Sequence, residues 1–359
     1  MDVSIDRTER YMHPDELFMR RALDLAERGT GSVSPNPMVG CVIVRNNQII
    51  GEGWHEKFGG PHAEVMALKN VINVSQVAGS TVYVSLEPCA HFGKTPPCAD
   101  VLIKERVERV VIGCTDPNPL VSGKGIAKLR EAGIQVEVST LNKQAVALNK
   151  RFITAQTKGR PYIILKWAET ADGFLARTDF SSKWISSELS RQWVHRWRAE
   201  EDAVLIGRRT AEHDNASLTV RDWSGRNPVR VVLAGKGKID PSWKVFDAAA
   251  PTWCYSTAET DQQLGIKSIA LPEANFLNLV LKDLKSRGIN SVLVEGGAQT
   301  LNSFIEKGLW DEARIFKAPT IFGAGIPSPS ISGAKETERN IGEDVLLILT
   351  NPNSVSYQV

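Results

Sequence analysis

The stretch from His62 to Cys98 limits what this chain can fold into more than any other. It opens with His62-Ala63-Glu64 and closes with Pro88-Cys89 and Thr95-Pro96-Pro97-Cys98. One imidazole and two thiolates suit a tetrahedral zinc with its fourth position open. Glu64 stands too close to His62 in sequence to chelate comfortably, yet can reach a water on that metal. Ala63, Met66, Ala67 and Val71 recur at helical intervals, which starts a helix near His62. Pro96-Pro97 cannot continue a helix but suits its beginning, so Cys98 falls in a first turn with a helix over 99–105 behind it. A helix start favours negative charge, and hence a thiolate. Two helix starts then converge on one ion.

The order H-x-E, then P-C, then C is that of zinc-dependent base deaminases, in which the glutamate moves protons and does not ligate. The common form puts two residues between the cysteines, and here eight intervene. Together with Asn36-Pro37-Met38-Val39-Gly40, Gly53-Trp54-His55, Asp116-Pro117-Asn118-Pro119 and Gly123-Lys124-Gly125, this pattern resembles the deaminase half of the bifunctional riboflavin-biosynthesis deaminase/reductases. The second half resembles the partner reductase, a relative of dihydrofolate reductase. The matching stretches there are Asp172-Gly173, Ser182-Lys183-Trp184-Ile185, Thr210 to Arg221, and Val294-Glu295-Gly296-Gly297. The resemblance runs in order over nearly the whole chain. It implies an α/β protein in two parts: an N-terminal cytidine-deaminase-like three-layer α/β domain, residues 1–150, and a C-terminal dihydrofolate-reductase-like α/β domain, residues 151–359.

At 359 residues the chain exceeds what one hydrophobic core usually serves. Its formal charge of +2, with no long block of lysine and arginine, speaks against nucleic acid as the main partner. Residues 1–16 are charged and lack the apolar core of a signal peptide. No run of about 18 apolar residues is there to span a bilayer. Five cysteines are an odd and sparse set for a disulfide scaffold. Cys89 and Cys98 read as metal thiolates, and Cys41, Cys114 and Cys254 as small buried hydrophobes. The expected compartment is therefore reducing, the cytoplasm.

Residues 15–28 set Leu17, Phe18, Ala22, Leu25 and Ala26 at helical spacing, and Gly29 ends that helix. Ser34-Pro35-Asn36-Pro37 is a loop. Strands are expected at 39–44 and 49–54, joined by an Asn46-Asn47 turn. Further strands fall at 81–86, 109–114 and 134–138, with a helix at 126–132. A helix at 142–152 and a polar stretch at 154–160 lead to Pro161, where the parts divide. Composition shifts there, because eight of nine tryptophans lie beyond residue 160. Strands follow at 162–167, 203–207, 229–233, 291–294 and 313–317, with helices at 187–198, 277–287 and 299–307. Such alternation means layered α/β structure and not a zinc finger.

A zinc ion brings the pKa of its water near neutrality, and the hydroxide can attack a ring carbon bearing an exocyclic amine. Glu64 would pass the proton to the ring nitrogen and then to departing ammonia. The resemblance implies that Asn36 recognises the base and that His55 and Asp116 line the pocket; Lys94 and Lys124 read first as solvated lysines, with a substrate phosphate as the alternative. In the second half it implies Ala168, Ser182, Trp184, Thr210 and Asp214 against the cofactor, and Arg198, Leu218, Arg221 and Glu295 against the substrate. Gly296-Gly297, between strand and helix, lets backbone amides approach a dinucleotide phosphate. It is not the G-x-G-x-x-G of a Rossmann unit. Arg198 and Arg221 suit a ribose 5-phosphate, whose oxygens a guanidinium grips in pairs. Arg208 and Arg209 are candidates for a 2′-phosphate, and Asp214 or Lys166 for a proton in hydride transfer. The chain departs from the family pattern at Thr170-Ala171, at Asp214-Asn215-Ala216 and near Ala234.

The implied activity is two consecutive steps with Zn2+ and NADPH as cofactors. The first deaminates 2,5-diamino-6-ribosylamino-4(3H)-pyrimidinone 5′-phosphate. The second reduces the ribosyl chain of 5-amino-6-(5-phosphoribosylamino)uracil to ribityl. Relatives of the reductase also imply a homo-oligomer paired through that domain. Other readings fit parts of the sequence. A closed zinc site serving folding alone needs a fourth protein ligand, His55 or His91, and leaves Glu64 without a task. A tRNA-type base deaminase shares the triad but needs a basic channel, and leaves the second half unexplained. The second half can also be a non-reducing domain.

Overall fold

Asn46 and Asn47 both take positive φ, 51° and 59°, the two-residue turn that joins β1 (Gly40–Arg45) to β2 (Gln48–Trp54) as an antiparallel hairpin. The structure, a computed structural model, describes residues 13–90, 92, 96–118, 122–181, 185–258 and 266–354. The chain divides into two compact units, Met1–Asn149 and Lys150–Val359.

In the first unit β1 pairs antiparallel with β3 (Thr81–Val84), and β4 (Arg109–Ile112) and β5 (Gln135–Val138) add in parallel. The order is β2-β1-β3-β4-β5. Successive β1 side chains face opposite layers. Val42 and Val44 pack with Phe18, Met19, Ala22 and Leu25 of α1 (Pro14–Glu27). Cys41 and Ile43 pack on the other face with α2 (Ala63–Lys69), α3 (Cys98–Lys104) and α4 (Lys124–Glu131). The unit is thus three-layered. Its last helix, α5 (Asn142–Leu148), ends at Asn149.

In the second unit α6 (Lys150–Thr157) precedes β6 (Tyr162–Glu169) and β7 (Phe174–Ala176). Next come α7 (Glu188–Glu200), β8 (Ala203–Gly207), α8 (Arg208–Asp214), β9 (Val229–Gly235), β10 (Thr252–Ser256) and β11 (Lys267–Ala270). The remainder is α9 (Phe276–Ser286), β12 (Ser291–Val294), α10 (Ala298–Glu306), β13 (Glu312–Lys317), β14 (Ile326–Pro327), β15 (Ala334–Ile341) and β16 (Asp344–Thr350). Among the described residues the main sheet runs β11-β10-β9-β8-β12-β6-β13-β16-β15. Neighbours from β11 to β13 are parallel, and β16 and β15 close one edge antiparallel. Every residue of β12 is buried, as befits a strand covered on both faces. β12 lies between β6 and β8, so the chain's order reverses around it. A crevice beyond the carboxyl ends of strands is the usual ligand site at such a point.

Several elements differ from the sequence expectation. The helix expected at 142–152 breaks at Asn149, and the polar stretch at 154–160 is helical through Thr157, where Phe152, Ile153, Thr154 and Ala155 bury a full turn of α6. α8, β7, β10, β11, β14, β15 and β16 carried no expectation.

Gly40 sits where α1 crosses β1. A Cβ there would lie 2.0 Å from the Ala22 carbonyl oxygen and 2.6 Å from Ala26 N. Gly40→Ala should therefore destabilise the first unit by about 1–3 kcal/mol, read as a lower midpoint of thermal unfolding. An unchanged midpoint would mean that α1 is not seated on β1.

Candidate active sites

His62 is the N-cap of α2, and Cys98 is the first residue of α3. Cys89 lies on the loop beyond β3. His62 Nδ1 is 3.2 Å from Cys98 Sγ and 3.6 Å from Cys89 Sγ, and the three donor atoms lie within 4.8 Å of one another. Ligands at zinc bond lengths of ~2.0–2.3 Å in a tetrahedron stand roughly 3.5 Å apart. The residues therefore fit that metal. Cys98 N donates to Cys89 Sγ at 3.3 Å. The Cys89 thiol is held down to about 4, first by its bond with the Cys98 thiol and further by His62. A thiolate is the form a metal takes.

Glu64 lies in the first turn of α2 and is 3% exposed. Burial lifts its pKa above the ordinary carboxyl value, and Cys89 adds to this. His55 accepts at Nε2 from Asn36 Nδ2, 3.1 Å away, and donates from Nδ1 to the Pro61 carbonyl at 2.9 Å. Burial lowers its pKa, so the ring is neutral with its tautomer set by these partners. Both ring nitrogens are engaged, which removes His55 as a fourth metal ligand. Its ring centroid stands 5.8 Å from that of His62, edge to face. Asn36, His55 and the metal ligands are thus brought together. His91 and Lys94 lie outside the described residues.

Sequence reasoning passed over Glu87. Buried between β3 and Cys89, it accepts backbone N–H groups from Asp116 (3.2 Å), Gly123 (3.0 Å), Gly125 (3.0 Å) and Ile126 (3.3 Å). Gly125 comes so close that a Cβ would lie 2.0 Å from the Pro88 carbonyl oxygen. Glu87 thereby ties Asp116 and the start of α4, where Lys124 sits, to the Cys89 loop. An acidic residue ending an apolar strand was the signal available.

In the second unit a cleft of about 1290 Å³ opens at the carboxyl ends of β6, β8, β9 and β12. Ala168, Thr210, Asp214, Gly296 and Gly297 line it, as do Arg198, Leu218, Arg221 and Glu295. Ser182 and Trp184 lie outside the described residues. Gly297 N donates to Thr210 Oγ1 at 2.9 Å. A Cβ on Gly296 would lie 2.7 Å from Thr300 Cβ, so only glycine lets the turn approach α10 this closely.

Arg198 departs from expectation. Its Nε and Nη2 donate to the two Glu295 oxygens at 2.7 and 2.9 Å, and Nη1 donates to the Thr219 carbonyl at 3.2 Å. A guanidinium committed in this way braces its neighbours and does not offer a free fork to phosphate. Burial would push Glu295 up, but Arg198 and then Lys166 hold it below its ordinary value. Burial draws Lys166 down, and Arg198 adds to this against the pull of Glu295. His195, three residues before Arg198 on α7, also lines the cleft and carried no expectation.

The first half matches the cytidine and deoxycytidylate deaminase zinc-binding region over residues 12–114, and the second matches the RibD C-terminal domain over residues 161–347. A riboflavin biosynthesis protein RibD from Aquifex aeolicus is 42% identical over 349 residues, covering 93% of this chain and 97% of the relative. Its Escherichia coli counterpart is 38% identical over 329 residues, covering 86% and 89%. Among solved structures, a Thermotoga maritima diaminohydroxyphosphoribosylaminopyrimidine deaminase/5-amino-6-(5-phosphoribosylamino)uracil reductase superposes with a TM-score of 0.86 at 38% identity, covering 94% of this chain and 99% of that one. Acinetobacter baumannii RibD gives 0.85 at 38% identity, covering 94% and 98%.

Glu87→Ala leaves the buried N–H groups of Asp116, Gly125 and Ile126, and that of Gly123, without their acceptor and frees the loop that carries Cys89. Zinc should then be lost to a competing chelator at roughly tenfold lower chelator concentration, with NADPH binding unaffected. Equal retention of zinc would show that the Cys89 loop holds its shape without Glu87.

Proposed function

The chain belongs to the family of bifunctional riboflavin-biosynthesis deaminase/reductases and carries both activities, and we propose that deamination runs at His62, Glu64, Cys89 and Cys98 and reduction in the cleft of the second unit. The observation that carries this reading is the meeting of one imidazole and two thiols within 4.8 Å at two helix starts, with a buried carboxyl two residues from the imidazole. The alternative, a nucleic-acid base deaminase with an inert second half, is not favoured, because relatives match both halves in one chain.

Zinc held by the three side chains supplies a Lewis acid that makes water nucleophilic near neutral pH. Glu64 takes one proton from the attacking water and gives it to the pyrimidine nitrogen, then carries the water's second proton to the amine, which leaves as ammonia; a carboxyl whose pKa is lifted by burial is suited to both transfers. Asn36 presents an amide to the base, and neutral His55 holds that amide in place. Asp116 and Lys124 close the pocket on the side that Glu87 secures.

In the cleft, NADPH supplies the hydride that converts the ribosyl carbon C1′ to its ribityl form. Thr210, Gly296 and Gly297 receive the dinucleotide phosphates, with Ala168, Ser182, Trp184 and Asp214 along the rest of the cofactor. Arg208 and Arg209 at the rim serve its 2′-phosphate. Reduction needs one proton besides the hydride. Lys166, acidified by burial beside Glu295, is the group to deliver it. Arg221 takes the substrate phosphate, Leu218 packs on the pyrimidine, and Arg198 acts by holding Glu295.

The partner is a small pyrimidine ribose phosphate. The reading extends to a homo-oligomer paired through the second unit, where β15 leaves an exposed sheet edge, to no nucleic-acid partner, and to the cytoplasm. No helix among the described residues is long and apolar enough to cross a membrane.

Glu64→Gln should keep its zinc yet release ammonia about 10²–10⁴-fold more slowly, while still oxidising NADPH with the uracil substrate. Undiminished ammonia release would end the assignment of Glu64. Lys166→Met should do the reverse, slowing NADPH oxidation about 100-fold with deamination intact. Because Lys166 acts as an acid, the wild-type reductase rate should fall as pH rises through its lowered pKa. A flat profile there would remove Lys166 from the role.

A further inference from the structure

Residues 217–221 carry Leu218 and Arg221 along the cleft outside any helix or strand. Leu218 takes a φ of 56°, a conformation that bulky residues adopt only when their surroundings impose it. Four side chains impose it. Arg230 Nη1 donates to the Ser217 carbonyl at 3.1 Å, and Arg198 Nη1 donates to the Thr219 carbonyl at 3.2 Å. Val220 N donates to Asn227 Oδ1 at 2.8 Å, and Arg221 N donates to His195 Nδ1 at 3.2 Å.

His195 is the one of these four that touches Arg221 itself. It is 4% exposed, and its Nε2 lies 3.3 Å from Asp222 Oδ2. With Nδ1 accepting, the hydrogen must reside on Nε2 and face that carboxylate. We propose that His195 is a positioning residue of the reductase: it anchors the Arg221 backbone between α7 and Asp222 and so, together with the Ser217 and Thr219 hydroxyls that accept from Arg221 Nη1 at 2.6 and 3.2 Å, aims the Arg221 guanidinium at the substrate's phosphate. The proposal rests on the reading of Arg221 as the phosphate ligand.

The anchor holds only while the ring is neutral. Protonation turns Nδ1 into a donor that faces a backbone donor. The charged groups around the ring are Arg198 on its own helix, Arg221 on the segment, Asp222 just after it, and Glu295 before α10. Burial, with Arg198 next, keeps the ring below its ordinary value. The neutral form therefore persists at neutral pH and is lost as pH falls through that lowered value.

The test is reductase kinetics on the full, zinc-loaded chain, with the phosphorylated uracil substrate and its dephosphorylated counterpart. His195→Phe should raise KM for the phosphorylated substrate about tenfold. It should move KM for the dephosphorylated one, and for NADPH, much less. His195→Asn, whose Oδ1 can accept where Nδ1 did, should recover most of the loss. Wild-type KM for the phosphorylated substrate should climb at acid pH, and the Asn variant should lack that climb beyond what the phosphate's own titration gives. Equal losses on both substrates, or an Asn variant as impaired as Phe, would overturn the proposal. If the Phe variant does not fold, the Asn variant and the pH profile decide alone. Arg221→Ala checks the underlying reading separately: unchanged preference for the phosphorylated substrate would discard Arg221 as its ligand, whatever His195 does.

Discussion

Two helix starts aimed at one point are the constraint on which the first unit depends. His62 caps α2 and Cys98 opens α3, while Cys89 arrives from the end of the central strand β3. Two ligands are thus fixed by helix starts, and the third by a loop that Glu87 ties down behind β3. The sheet then has little freedom. A one-residue slip of β3 against β1 would turn Val82 and Val84 away from the ligand-bearing helices and carry Cys89 off the site. Burial of Glu64 is a consequence of the same packing, because Ala63 and Ala67 seat α2 tightly on the sheet. A carboxyl made proton-avid in this way needs no further partner for its task.

The second unit meets a different demand. It must hold an anionic dinucleotide and an anionic substrate, and several of the cations in and around its cleft are committed to the protein itself. Arg198 and Glu295 form a two-pronged pair, and Arg230, fully buried, bonds to Ser217, Lys244, Asp247 and Ala250 carbonyls and to the Asp247 carboxylate. Buried ions are expensive to desolvate, and such pairs add little net stability. Their use here is geometric. Each fixes an irregular stretch that no helix or sheet ladder could hold.

How far the sequence could be read follows from that difference. Ligand spacing, the Asn46-Asn47 turn and the helix starts at His62 and Cys98 are local signals, and they were legible. Arg198 was not: a guanidinium on a helix looks alike in sequence whether it faces phosphate or a carboxylate 97 residues away. Glu87 and His195 act through backbone groups distant in sequence, which no local pattern announces. β15 is mostly polar and exposed up to the buried Ile341, so it lacks the alternation that marks a strand, and pairing with β16 defines it. α6 was obscured because its buried residues include Thr154, which composition counts as polar.

The two chemistries also explain why one chain needs two units. Deamination consumes water and releases ammonia, so its site must admit solvent to the ion that His62, Cys89 and Cys98 would hold. Hydride transfer must keep water from the reacting carbon, since a dry, preorganised surrounding strengthens each electrostatic contact. Neutral His55 and Asn36, set beside His62, suit the first need. A deep cleft with Lys166 and Glu295 set in low-dielectric surroundings serves the second. No single pocket can be wet and dry at once.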